Sequence, residues 1–170
     1  MAKSETALIV GAGPGLSASL ARRFASEDVA VAIAARNTDK LADLVAETGA
    51  KPYSCDASDP ATVADLFNSV TADLGEPDIV VYNASNRVRG PITELDPEAV
   101  LTAIKISCFG GFLVAQQAAK QMVPRGNGAI FLTGASAGVK GYPNSSTFAM
   151  GKFGLRGLAQ SLARELHPQN

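Results

Sequence analysis

From position 6 to 25 the chain reads TALIVGAGPGLSASLARRFA: a short apolar run, a turn carrying Gly11, Gly13 and Gly15, and an amphipathic pattern that begins at Leu16. A strand that breaks into glycines and restarts at once as a helix aims the unpaired N–H groups of the helix start past the turn, and a phosphate is the ligand such a spot favours. Gly11 permits the sharp turn, Gly15 lets a diphosphate approach the backbone, and Ser17 is small enough for the helix to pack against the strand. Gly13, Pro14 and Leu16 complete the stretch expected to face the diphosphate of a nucleotide cofactor. A tight turn with no ligand is the plain alternative, and the strand–turn–helix context argues against it.

Strand and helix signals alternate along the rest of the chain. Residues 29–35 form a continuous apolar run, as in a parallel strand covered on both faces. A helix capped by Thr38 is expected to end near Gly49, with Leu41, Leu44 and Val45 on one side. A short strand at 51–55 leads to Asp59-Pro60, a cap followed by proline, and a helix burying Val63, Leu66, Phe67 and Val70. A fourth strand spans 79–81. Asp96-Pro97 repeats the start signal for one long helix to about 122, a fifth strand covers 128–133, and a last helix runs over 146–166. Short connections between such elements predict an α/β fold, a Rossmann-type doubly wound parallel sheet flanked by helices, as one domain over residues 1–170. A fifth strand near an exposed edge suggests that further strands lie beyond the C-terminus of this chain.

Bulk properties narrow the partners. The net charge is -1 and no Lys/Arg block occurs, which argues against a nucleic-acid surface. Cys55 and Cys108 are too few for a disulfide framework and read as reduced thiols of a cytoplasmic protein. No signal-peptide pattern or membrane-length apolar stretch is expected, and no metal-ligand cluster. The end of the second strand reads Ala34-Ala35-Arg36-Asn37. A carboxylate there would take a free ribose 2′-hydroxyl, whereas an arginine pairs with a 2′-phosphate, so Arg36 favours NADP(H), with NAD(H) as the alternative.

With these residues in view, the chain resembles the short-chain dehydrogenase/reductase family over essentially its whole length. The segment Cys55-Asp56-Ala57-Ser58-Asp59 is similar to that family's acidic stretch beside the adenine. Tyr82-Asn83-Ala84-Ser85 is similar to its Asn-Asn-Ala-Gly motif, with two of four positions kept. The resemblance implies that Asp56, Ala57, Asn83, Ala84 and Ser85 line the cofactor groove. It also implies a small-molecule substrate, homodimers or homotetramers built through the last two long helices, and substrate specificity carried beyond residue 170.

The catalytic set of the family is altered. The resemblance places its lysine at Lys152, but its tyrosine at Phe148, its serine at Ala135 and its asparagine at Ser107. Phenylalanine has no proton to give, and losing a general acid typically costs about 10²–10⁴ in rate. Ser136 adjoins the serine position and Thr147 adjoins Phe148, whereas Tyr142 is out of helical register with Lys152. The candidate catalytic residues are therefore Lys152, Ser136 and Ser107, and in the family the lysine also holds the nicotinamide ribose. His167 reads as a solvated helix-end residue. Gly110-Gly111 suggests close approach of another backbone or of the cofactor. Two functions follow: an NADP(H)-dependent oxidoreductase with an atypical proton donor, acting on carbonyl, alcohol or C=C groups, or a catalytically inactive nucleotide-binding sensor or partner subunit. An S-adenosylmethionine-dependent transferase ranks last, because it usually wants an acid where Arg36 stands.

Overall fold

A computed structural model describes residues 5–169. In chain order the elements are β1 (Thr6–Val10), α1 (Leu16–Ser26), β2 (Ala30–Ala35), α2 (Ala42–Thr48), β3 (Lys51–Ser54), α3 (Pro60–Leu74), β4 (Ile79–Tyr82), α4 (Pro97–Ile104), α5 (Gly110–Arg125), β5 (Ala129–Leu132) and α6 (Ser146–Leu166). The five strands form one parallel sheet in the order β3-β2-β1-β4-β5. The expected doubly wound fold is the observed one.

The central strand shows why its sequence is apolar throughout. Successive side chains point to opposite faces, and both faces are covered. Leu8 and Val10 join Val63, Phe67, Val70 and Val114 on the α3–α5 side. Ile9 joins Ile33, Val81, Ala18, Leu41 and Leu44 on the α1–α2 side. All five residues of β1 are buried, so no polar alternation survives.

Local signals set two of the helix starts. The Asp59 side chain accepts from the Ala61 N–H at 2.8 Å, and Asp96 accepts from the N–H groups of Glu98 and Ala99 at 3.3 and 3.1 Å. Each cap is followed by proline at the first helical position, and such caps contribute about 1 kcal/mol. Thr38 holds the N-cap position where the second helix begins, but its side chain makes no capping hydrogen bond. The Asn37 Oδ1 accepts from the Asp39 N–H at 2.9 Å, and a 3₁₀ turn, Asp39–Leu41, precedes α2. An asparagine oxygen accepting from the amide two residues on is an Asx turn.

The single long helix expected from residue 97 is interrupted. One π-helical turn, Lys105–Phe109, separates α4 from α5. It delivers Gly110 against the Ala57 carbonyl, where an added Cβ would lie 2.5 Å from the oxygen and would also strike the Tyr82 hydroxyl. Gly111 faces Leu155 in the same way. The close approach inferred for this glycine pair is thus made by the protein's own groups. A second correction concerns hydropathy. The run Pro97–Arg125, with mean hydropathy 1.6, is long and apolar enough by length and composition to cross a membrane. Its apolarity has a local use here, because Leu113, Val114, Ala118 and Met122 are buried in the core. Among the described residues β5 is an edge strand of the sheet, and a groove of about 820 Å³ opens between α5, β5 and α6.

Candidate functional site

The strand order reverses around β1, whose neighbours are β2 and β4, and in open parallel sheets that switch point is where the carboxyl ends of the strands leave a crevice. A cleft of about 410 Å³ lies there. It brings together Gly11, Gly13 and Pro14 of the turn, Arg36 after β2, Asp56 and Ala57 after β3, and Asn83, Ala84 and Ser85 after β4. Gly15 and Leu16 are not part of the lining; Gly15 is the N-cap of α1, and Leu16 is its half-exposed first residue. Lys40 and Ile106 also line the cleft. Neither was singled out in the sequence, although Lys40 stands four residues after Arg36 and shares its charge.

The turn is built from three interlocking constraints. Gly11 has φ +88, which L side chains rarely adopt, and an added Cβ would sit 2.5 Å from the Ala84 Cα and 2.8 Å from its Cβ. The N–H groups of Gly11 and Ala12 both donate to the Ala34 carbonyl, at 3.0 and 2.9 Å, pulling the turn over the end of β2. The Ser17 hydroxyl donates to the Gly11 carbonyl at 3.0 Å, and the Asn83 amide donates to the Ser17 hydroxyl at 2.8 Å. Ser17 therefore does more than stay small: it joins the turn, α1 and the end of β4. Around Gly13 and Gly15 the situation is the opposite, since a Cβ added at either meets nothing within 4 Å. No side chain caps α1, so its leading amides are left to a ligand or to solvent.

On the β3 side, Asp56 accepts from the Ser58 hydroxyl at 2.7 Å and from the Ser58 N–H at 2.9 Å. These bonds hold its carboxyl below the usual aspartate range, and the positive charge of Arg36 adds to the effect. The carboxylate is thereby kept ionised and fixed beside an exposed guanidinium.

A second corner forms where α6 passes the loop after β4. Lys152 is buried, 3% exposed, and its Nζ donates to the Thr133 carbonyl at 2.7 Å. Burial lowers its proton affinity, and the nearby Arg87 charge lowers it further. Phe148 precedes Lys152 by one helical turn and is also buried. The Arg87 guanidinium stands 3.8 Å above its ring centroid, and the Lys152 ammonium lies 5.9 Å from the same ring. Arg87 escaped the sequence reading, because nothing local shows which way a loop arginine points.

The other candidates are dispersed. Ser107 is 1% exposed, and its hydroxyl accepts from the Asn86 N–H at 2.9 Å and donates to the Asn86 carbonyl at 3.1 Å. That leaves the loop clamped and the hydroxyl committed. Ser136 is exposed at the start of a 3₁₀ turn, Ser136–Gly138, and among the described residues no hydrogen bond joins its hydroxyl to Lys152. Thr147 is buried with its Oγ1 unpartnered, Tyr142 is exposed beside Lys140, and His167 is exposed at the end of α6. Among the described residues no group of three or more His, Cys, Asp or Glu side chains is placed to hold a metal.

A glycine turn at the switch point of a parallel sheet, feeding an uncapped helix, defines a nucleotide-binding doubly wound α/β fold. The family model described as short chain dehydrogenase matches residues 5–170, and the chain belongs to that family. It is 28% identical over 166 residues to D-threitol dehydrogenase of Mycolicibacterium smegmatis, an alignment covering 95% of this chain and 64% of the relative. It is 29% identical to 3-oxoacyl-[acyl-carrier-protein] reductase MabA of Mycobacterium avium, covering 96% of this chain and 62% of that protein. The chain thus spans somewhat less than two thirds of these relatives. Among solved structures, a short-chain dehydrogenase from Rhodopseudomonas palustris superposes with a TM-score of 0.92 at 36% identity, covering 98% of this chain and 80% of that one. The actinorhodin polyketide ketoreductase F189W variant, solved with NADPH, also superposes with a TM-score of 0.92, at 29% identity over 96% of this chain and 65% of its own.

Proposed function

We propose that this chain binds NADP(H) in the cleft at the switch point and forms the cofactor-binding part of an oxidoreductase with an atypical proton donor. The observation that carries the reading is the pairing of two features: open space over Gly13, which lines the cleft, and over Gly15 at the uncapped start of α1, and two cations, Arg36 and Lys40, in the same cleft after β2. The first suits a diphosphate and the second suits a ribose 2′-phosphate, which a neutral ribose would not need. Relatives of known structure that contain NADPH or NADP support the same assignment. When bound, the nicotinamide supplies or accepts a hydride.

The chain's own residues then divide the work. Gly13, Pro14, Gly15 and Leu16 take the diphosphate, and Asp56 and Ala57 flank the adenine. Asn83, Ala84 and Ser85 form the wall after β4. Lys152 holds the nicotinamide ribose, Ser107 positions the loop through Asn86, and Ser136 is the exposed hydroxyl left to meet a small-molecule substrate. Phe148 cannot protonate the product oxygen, so the chemistry is either slow with simple carbonyls or directed to activated carbonyls and C=C bonds. Binding without turnover is the second reading, favoured by the tie between Lys152 and the Thr133 carbonyl.

Homodimers or homotetramers are the expected assembly. Leu101, Phe109 and Phe112 are exposed on α4, the π turn and α5, and Met150 and Phe153 are exposed on α6, the helices such an assembly would use. Two free cysteines fit a reducing, cytoplasmic setting.

Competition for bound NADPH by two adenosine fragments tests the cofactor assignment. Adenosine 2′,5′-bisphosphate should displace NADPH at about tenfold lower concentration than adenosine 5′-monophosphate, and Arg36→Ala should remove the difference. Equal potency of the two fragments on the unaltered protein would refute the 2′-phosphate site.

A further inference from the structure

We infer that Arg87 is a substrate-anchoring residue and that the substrates of this site carry a carboxylate, which docks on the guanidinium above Phe148. The inference rests on the reading of the chain as an NADP(H) oxidoreductase and names the substrate class for that site.

The geometry consists of a rigid mount, a platform and a charge without a counterion. The mount is the loop after β4. Its Asn86 is held through both N–H and carbonyl by the buried Ser107 hydroxyl, and its Gly90 N–H donates to the Asn144 carbonyl at 3.2 Å, so Arg87 springs from a segment tied on both sides. The platform is Phe148, whose face supports the guanidinium at 3.8 Å as an arene supports a cation. The charge is uncompensated: among the described residues no carboxylate pairs with Arg87 or with Lys152, while five other ion pairs are formed elsewhere. The two cations share one ring, and the Arg87 charge lowers the proton affinity of Lys152.

Arg87 is exposed, so its guanidinium is open to an incoming ligand, and two neighbouring cations together attract an anion. A planar guanidinium presents parallel N–H donors that match the two oxygens of a carboxylate. Phenylalanine suits such a corner better than a phenol would, since it offers the same face and no hydroxyl to compete for the anion. The carboxylate on Arg87 would stand beside Lys152 and Phe148, the corner where the resemblance places the reacting carbonyl. A carbonyl compound bearing an acid group close to the reacting carbon fits this arrangement.

Calorimetric titration of the chain with oxamate and with its neutral isostere oxamide, with and without NADPH present, tests the proposal. Oxamate should bind about tenfold or more tightly than oxamide, reflecting a charge-assisted bidentate contact. Arg87→Met, which keeps most of the stem, should remove the preference, Arg87→Lys should retain part of it, and NADPH affinity should stay within about threefold in both. Equal binding of oxamate and oxamide, or a preference that survives Arg87→Met in a protein with an unchanged melting temperature, would overturn the anchor. Failure of the unaltered chain to bind NADPH would sink the cofactor reading instead, and the titrations without cofactor would still decide the role of Arg87.

Discussion

Substituting alanine at Gly11 and at Gly13 should separate what the turn does for the fold from what it does for the ligand. At Gly11 the backbone has φ +88, and the new Cβ would lie 2.5 Å from the Ala84 Cα and 2.8 Å from its Cβ. Left-handed backbone costs a non-glycine residue about 1–2 kcal/mol, and forcing a methyl into a packed site adds typically 1–3 kcal/mol. The loss should therefore be about 3 kcal/mol, because Ala84 is backbone and has no rotamer by which to yield. Moving it also pulls on Asn83, whose amide bonds Ser17 at 2.8 Å, so the damage spreads to α1. At Gly13 an added Cβ meets nothing within 4 Å, so Gly13→Ala should change stability by less than about 0.5 kcal/mol. The same methyl would enter the space assigned to the diphosphate, and NADPH affinity should fall by roughly tenfold to a hundredfold. Urea denaturation and NADPH fluorescence on the two variants provide the readouts. A Gly11→Ala protein as stable as the parent, or a Gly13→Ala protein that binds NADPH unchanged, would refute the reasoning.

Three further outcomes are expected. Tyr82 is fully buried, and its hydroxyl donates to the Ile106 carbonyl; Tyr82→Phe strands that acceptor at the π turn and should destabilise by about 1–3 kcal/mol in thermal or urea unfolding. Asp56 titrates below its ordinary value of 3.8, so its stabilising contribution is complete above that pH and is lost as the pH falls through the lower, folded-state value. The melting temperature of the parent should accordingly approach that of Asp56→Asn as the pH is taken from 5 to 2.5, and a constant gap would contradict it. Phe148→Tyr restores a phenol one turn before Lys152 and should raise NADPH-dependent reduction of simple ketones by about 10²-fold or more, measured as NADPH oxidation, unless Arg87 blocks the hydroxyl, in which case Arg87→Ala in the same background should release it.

Much of this architecture is written locally. The four consecutive apolar residues that follow Thr6 in the first strand, and the Asp-Pro pairs at 59–60 and 96–97, act locally, and each sits in the structure as the sequence implies. Thr38 holds the N-cap position of the 3₁₀ turn before α2, but its side chain makes no capping bond, and the Asp39 N–H is taken by Asn37. The π turn at Lys105–Phe109 has no local signature at all. Gly110, just after it, stands where a side chain would meet the Ala57 carbonyl and the Tyr82 hydroxyl, residues far apart in sequence. That the residues of the cleft at the switch point come together was legible because they end strands, and strand ends in a parallel sheet converge by topology. The corner at Phe148 was half legible: the spacing from Phe148 to Lys152 shows one helix face, but the loop arginine that covers the ring belongs to another element. Ser107 illustrates the same limit, since its hydroxyl is claimed by a backbone segment some twenty residues earlier.

Calorimetric titration of the unaltered chain with NADPH and with NADH addresses the central claim most directly. One NADPH per chain should bind, about tenfold or more tightly than NADH, with the advantage lost in Arg36→Ala. No heat with either nucleotide, or tighter binding of NADH, would contradict the assignment of the cleft.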